Sequence, residues 1–140
     1  MEELNDRVSR VFAKGMHCSQ TMLYLINEDR ESPNPDLVRA SGGLGGGMFS
    51  RENCGTLTGG ACVLAVFGAR SEPGEEQAYD YRSAIKELVS WFREEFGSIE
   101  CCDLVADSME EKRKTCPPIV EKTYQKCLEI LEANGVDPRD

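Results

Sequence analysis

The chain has 140 residues and a net charge of −9 at neutral pH, with 25 acidic and 16 basic residues. This length allows a hydrophobic core to form without help from disulfides, so we predict a single domain over residues 1–140. The acidic balance argues against a nucleic-acid backbone or an anionic membrane surface as a partner. Because no run of about 18 apolar residues is present, we expect no membrane insertion.

The cellular location of the protein is predicted from its N-terminus, and the location in turn bears on the roles of its cysteines. Residues 1–6 are acidic and show no signal-peptide pattern, which favours a cytoplasmic location. Stable disulfides are unusual there, and cysteines are more often catalytic, redox-switching, metal-binding or buried. The chain has seven cysteines, so at least one thiol cannot pair within it. His17 is the single histidine, which excludes classical zinc and di-iron sites that need two.

Apolar periodicity predicts an all-α fold of about six to seven helices around a buried central helix. The first helix is expected over residues 3–14. The second is expected over about 19–28, with Cys18 at its start. A short third helix is predicted after Asn34, a favourable N-cap residue, with Pro35 in its first position.

Five glycines between residues 42 and 47 predict a loop whose backbone closely approaches another part of the molecule. The loop has neither the GxGxxG nor the GxxxxGK phosphate-binding pattern, so a loop that wraps the cysteine site is favoured over a phosphate cradle. Asn53 is then predicted to cap the buried central helix over 54–67. The continuous apolar run in this segment also allows a strand at 61–67.

Three further helices complete the predicted fold. A long helix is expected over 73–96, and a short one after Ser98 contains Cys101. The last helix is expected to begin near Cys116 and to end near residue 134. Because other strand signals are absent, the all-α class is favoured for the whole chain.

Four of the cysteines, Cys18, Cys54, Cys101 and Cys116, lie at or within a turn of a predicted helix start. A helix N-terminus presents unpaired N–H groups and a partial positive charge. Both favour a thiolate, so we expect lowered thiol pKa values at these positions. None of the four belongs to a CxxC pair, so any joint site has to be assembled by the fold. The pattern indicates a thiol-based redox site or a metal site.

The other cysteines are predicted to have lesser roles. Cys62 and Cys127 lie on apolar helix faces and are expected to behave as buried small hydrophobes. Cys102 adjoins Cys101, and a neutral second thiol or a spare ligand is favoured over a strained vicinal disulfide. His17, which precedes the first of the four cysteines, stabilises a thiolate only if its imidazole reaches the sulfur.

Several segments together carry a family resemblance: Cys18-Ser19-Gln20, residues 41–48, Cys54-Gly55-Thr56-Leu57-Thr58-Gly59, residues 96–101 with Leu104, and Cys116. Through them the chain resembles the C_GCAxxG_C_C family of small redox-active proteins over nearly its whole length. The resemblance implies an α-helical domain with a redox or metal role, and its four signature cysteines match the four above. Thr56 stands where the family usually has alanine, and His17 where asparagine is common. A more distant similarity to the non-haem part of split-Soret cytochromes c keeps an iron–sulfur cluster open, although the chain has no CxxCH for c-type haem.

Three functions fit this sequence. The first is thiol–disulfide electron transfer by an oxidoreductase or electron carrier, with Cys54 as the nucleophile and Cys18 or Cys101 as the resolving thiol. The second is binding of an iron–sulfur cluster or another metal ion by Cys18, Cys54, Cys101 and Cys116. The third is a non-catalytic helical module with structural cysteines. The sequence does not identify the redox partner, and it leaves a homodimer open.

Overall fold

The computed structural model describes residues 2–31 and 34–140, and this part of the chain is all-α, as predicted. Its helices are α1 (Leu4–Ala13), α2 (Cys18–Arg30), α3 (Pro35–Ser41), α4 (Gly55–Val66), α5 (Tyr81–Phe96), α6 (Cys101–Leu104) and α7 (Met109–Ala133). Within the described ranges, no helix combines the length and the hydrophobicity needed to cross a bilayer. The first three helices lie close to their predicted bounds, because their caps follow local rules. Asn34, for example, accepts a hydrogen bond from the backbone N–H of Asp36.

Helix α4 is the buried central helix, and it contacts α2, α5 and α7. Two glycines allow this close packing. A Cβ on Gly59 would lie 3.0 Å from the Cα of Ser19 in α2. A Cβ on Gly60 would lie 3.0 Å from Leu88 in α5 and 3.3 Å from the sulfur of Cys127 in α7. Because larger side chains would push these neighbours away, the two glycines hold the surrounding helices close to α4.

The start of α4 differs from the prediction. Cys54, not Asn53, is the N-cap residue. Asn53 instead forms an isolated antiparallel bridge with Glu100, which is a contact between distant parts of the chain and leaves no local signal. The alternative of a strand at 61–67 is wrong, because the segment is helical over Gly55–Val66.

Helix α5 begins later than predicted, at Tyr81 rather than near Pro73. Asp80 caps it, and its carboxylate accepts hydrogen bonds from both the backbone N–H and the hydroxyl of Ser83. This cap satisfies an N–H that the helix itself leaves unpaired. The helix ends before Gly97 as predicted, and the φ of 84° at that glycine is typical of a helix terminus.

Helix α7 begins at Met109, well before the predicted start near Cys116. Ser108 caps it by accepting a hydrogen bond from the backbone N–H of Glu111. The proline pair 117–118 therefore lies inside the helix instead of at its first turn. An internal proline costs about 3 kcal/mol, and the buried apolar side chains that follow the pair offset this cost. Cys116 is consequently an interior helix residue.

The two cysteines expected in apolar surroundings are both at least partly buried. Cys127 in α7 is completely buried, and its thiol lies 3.7 Å from the carbonyl oxygen of Gly60. Cys62 in α4 is half-buried. Burial raises the pKa of both thiols, which makes them inert compared with an exposed cysteine. The expectation of a buried small hydrophobe is confirmed for Cys127 and holds in part for Cys62.

Candidate thiol site

Cys18 is the first residue of α2 and lies against the start of α4. The preceding residue, His17, is the N-cap, and its backbone N–H donates to the side chain of Gln20 in a reciprocal capping arrangement. The sulfur of Cys18 occupies the space where a side chain on Gly55 would stand, since a Cβ there would be only 2.7 Å from Sγ. Because Gly55 follows Cys54 directly, Cys18 and Cys54 belong to the same corner of the molecule.

The starts of α4 and α6 are joined by backbone hydrogen bonds. The N–H of Cys54 donates to the carbonyl of Ile99 at 2.7 Å, and the N–H of Cys101 donates to the carbonyl of Glu52 at 2.6 Å. These bonds flank the bridge described above and hold the two cysteine-bearing segments side by side. Cys54 and Cys101 are both buried, with 8% and 6% of their surfaces exposed.

Cys116, the fourth cysteine of the predicted site, lies in the middle of α7. Burial raises the pKa of this half-buried thiol to about 12, and negative charge on Cys18, Cys54 or Cys101 raises it as well. Negative charge on Cys18 also raises the pKa of Cys54 and of Cys101. Such effects require short separations in a protein interior. Charge on Cys18 thus affects the pKa of the other three thiols, although the fourth, Cys116, is not at a helix start.

The pKa values of these thiols run opposite to the expectation from helix starts. Burial, followed by the charge of Cys18, raises the pKa of Cys54 to about 11. Hydrogen bonds from the backbone N–H groups of Thr56 and Leu57 lower it, as expected at a helix N-terminus, but they are weaker than desolvation. The prediction of lowered pKa values is therefore wrong for Cys54, Cys101 and Cys116. Helix position is visible in the sequence, whereas the depth of burial is set by the fold.

Two basic side chains border the Cys101 side of the site. Burial and the charge of Cys18 raise the pKa of Cys101, while Arg51 and Lys112 lower it. Both cations also pair with Asp107, at 3.6 Å and 3.7 Å. No sequence motif marks Arg51 or Lys112, and Arg51 is far from Cys101 in the chain, so neither cation was predicted.

The glycine-rich segment, which was predicted to be a loop, forms a 3-10 turn over Gly42–Leu44, and it contacts the start of α2 and the start of α4. A Cβ on Gly45 would lie 2.8 Å from the Cβ of His17, and the carbonyl oxygen of Leu44 would be 2.8 Å from a Cβ on Gly55. Glycine is required at Gly45 because the His17 side chain occupies the space of a Cβ, and at Gly55 because the Cys18 sulfur and the Leu44 carbonyl oxygen occupy it. The loop closes the site from one side.

The backbone after this loop is strained and carries exposed apolar side chains. Gly46 and the next three residues have φ between 55° and 64°, in the left-handed region. For Met48 and Phe49 this conformation costs about 1–2 kcal/mol per residue. Both side chains are exposed, and the Phe49 ring meets the imidazole of His17 edge-on at 5.1 Å. A role of His17 in stabilising the Cys18 thiolate stays a prediction.

The geometry gives no support to the metal interpretation. Within residues 2–31 and 34–140, no group of three or more His, Cys, Asp and Glu side chains is arranged to hold a metal ion. All seven cysteines are free thiols in the structure. Free thiols can lose and gain electrons by forming and breaking disulfides.

The family model described as "Putative redox-active protein (C_GCAxxG_C_C)" matches residues 16–130. The chain belongs to this family. The matched range begins just before α2, ends within α7 and includes the glycine-rich loop and all four signature cysteines of the C_GCAxxG_C_C family. A search of curated proteins and a search of solved structures found no match.

Proposed function

We propose that this member of the C_GCAxxG_C_C family is a two-electron carrier whose signature cysteines cycle between dithiol and disulfide. Packing supports the proposal: the Cys18 sulfur lies against Gly55, the residue after Cys54, and backbone hydrogen bonds join the starts of α4 and α6. Negative charge on Cys18 also raises the thiol pKa of each of the other three signature cysteines. We therefore expect disulfide exchange among these thiols. Oxidation of two of them forms one disulfide and releases two protons and two electrons.

The direction of the pKa shifts favours a donor of electrons. A thiol with a low pKa stabilises the reduced state of its pair and makes the disulfide strongly oxidising. Here burial and mutual repulsion keep the thiols protonated, so the reduced pair lacks the stabilisation that ionisation gives to a low-pKa thiol. The dithiol is therefore a stronger reductant than a pair that contains a low-pKa thiol.

Cys18 and Cys54 are the pair that we assign to the primary disulfide. The Cys18 sulfur lies against Gly55, the residue next to Cys54, and its charge is the first interaction after burial to raise the Cys54 pKa. Deep burial and a pKa of about 11 make Cys54 a poor nucleophile toward an outside molecule. We therefore assign Cys54 an internal pairing role instead of the first attack predicted from the sequence.

A redox titration tests this proposal. The protein is equilibrated anaerobically in dithiothreitol buffers of graded potential, and free thiols are counted after acid quenching. We expect a two-electron transition with a midpoint near or below that of thioredoxin, about −270 mV, because the dithiol is not stabilised by ionisation.

The Cys54→Ser variant should lose this transition. Cys62→Ser is the matched control, because Cys62 is a half-buried thiol that is not one of the four signature cysteines, and it should titrate like the wild type. A wild-type protein with the same number of free thiols at all potentials, or an unchanged titration in Cys54→Ser, would refute the proposal.

A further inference from the structure

The signature thiols are poorly placed to meet a protein partner. Two of them, Cys54 and Cys101, are buried, and Cys18 and Cys116 are half-buried. Thiol–disulfide exchange requires the attacking sulfur to approach a disulfide in line, so it depends strongly on access. A site of this kind needs a separate, accessible sulfur to exchange electrons with a bulky disulfide.

Cys102 is the one exposed cysteine among the seven, and it is joined to the buried site in two ways. It follows Cys101 directly in α6, and its charge contributes to the raised pKa of Cys101. Arg51 also ties α6 to the glycine-rich side of the site by donating to the carbonyls of Cys102, at 3.4 Å, and Val105, at 2.7 Å. Cys102 thus faces solvent while its neighbour faces the signature thiols.

We propose that Cys102 is the exchange thiol through which the buried site reduces disulfides of partner proteins. This inference rests on the proposed thiol–disulfide function and adds a fifth cysteine that the family signature does not contain. The Cys102 side chain supplies the accessible sulfur, and Cys101 transfers the disulfide from Cys102 to the buried thiols. The partner that fits is a protein with an accessible disulfide.

The electrons and protons balance over four exchanges. The Cys102 thiolate attacks one partner sulfur, which breaks the partner disulfide, forms a mixed disulfide and expels a partner thiolate that takes up a proton. The Cys101 thiolate then attacks the Cys102 sulfur and expels the second partner thiolate. The resulting vicinal disulfide is strained, and attack by the Cys18 thiolate on the Cys101 sulfur relieves it and restores the Cys102 thiol. Attack by the Cys54 thiolate on the Cys18 sulfur then forms the primary disulfide and expels the Cys101 thiolate, which takes up a proton. The partner disulfide becomes a dithiol, and Cys18 and Cys54 become a disulfide.

The test uses the fully reduced protein and one equivalent of 5,5′-dithiobis(2-nitrobenzoate) under anaerobic stopped flow. Wild-type protein should release two thionitrobenzoate ions per reagent, the first by attack of Cys102 and the second by resolution. In Cys102→Ser the first phase should slow by about tenfold or more, because the remaining thiols are less accessible. In Cys101→Ser the first ion should appear at the wild-type rate, and peptide mapping should find thionitrobenzoate retained on Cys102.

The matched control, Cys62→Ser, should reproduce both wild-type phases. Since Cys102 is exposed, its serine variant is expected to fold normally, and circular dichroism checks this. A Cys102→Ser protein that keeps the wild-type first phase would overturn the exchange role and leave the proposed redox function intact. Release of a single thionitrobenzoate from every protein, the wild type included, would instead contradict the proposed function itself.

Discussion

Replacement of Gly55 by alanine is expected to lower the free energy of unfolding by about 3 kcal/mol, the upper part of the range for overpacked sites. The added Cβ would stand 2.7 Å from the sulfur of Cys18 and 2.8 Å from the carbonyl oxygen of Leu44. Neither atom can easily move, because the sulfur belongs to the first residue of α2 and the carbonyl oxygen belongs to the backbone of the glycine-rich loop. Urea unfolding of the reduced protein, followed by circular dichroism, measures the loss.

Gly43→Ala is the matched control for this substitution. Gly43 lies in the same loop, but a Cβ there would have no atom within 4 Å, so its stability should change by less than about 0.5 kcal/mol. A Gly55→Ala protein as stable as this control would show that the Cys18 sulfur does not lie where the site requires it.

The midpoint potential of the protein is expected to fall by about 59 mV per pH unit, linearly from pH 6 to about pH 8. The reduced pair holds two protons that the disulfide lacks, so a rise in pH favours the disulfide. A buried thiol with a pKa of about 11, such as Cys54, keeps its proton well above this interval, and even an ordinary thiol ionises only near pH 8.5, at about the free-cysteine value. Arg51 and Lys112 act in the opposite direction on neighbouring thiols, but they do not reverse the effect of burial.

Potentials measured in dithiothreitol buffers at each pH test this slope, after correction for the pH dependence of dithiothreitol itself. A bend to about half of the slope near pH 7 would mean that one thiol ionises there, as at an ordinary activated cysteine. That result would contradict the account of a buried, mutually repelling thiol group. The same potentials measured on the Cys62→Ser variant should show the wild-type dependence on pH.

Local signals predicted much of the fold, because caps and apolar stripes act within a few residues. Asn34 and Pro35 mark the start of α3, and Gly97 marks the end of α5, in the sequence as in the structure. The start of α7 was missed because the proline pair 117–118 is usually a helix boundary, whereas here the packing of α7 overrides it.

The sequence nominated the members of the candidate site, but it could not predict their electrostatics. The bridge between Asn53 and Glu100, which brings the segments of Cys54 and Cys101 together, pairs parts far apart in the chain and leaves no local signal. The helix-start argument gave the wrong sign for the pKa of Cys54, because desolvation by the surrounding helices exceeds the effect of nearby N–H groups. The effect of desolvation on a thiol pKa can be assessed only once the tertiary packing is known.

Disulfide mapping shows whether the four signature cysteines form one redox site. Reduced protein is oxidised with one equivalent of diamide, the remaining thiols are alkylated in acid, and the linked peptides are identified by mass spectrometry without reduction. We expect the Cys18–Cys54 linkage to predominate, with other linkages confined to Cys101, Cys102 and Cys116. Linkages that mainly involve Cys62 or Cys127, or only disulfides between separate chains, would contradict the account.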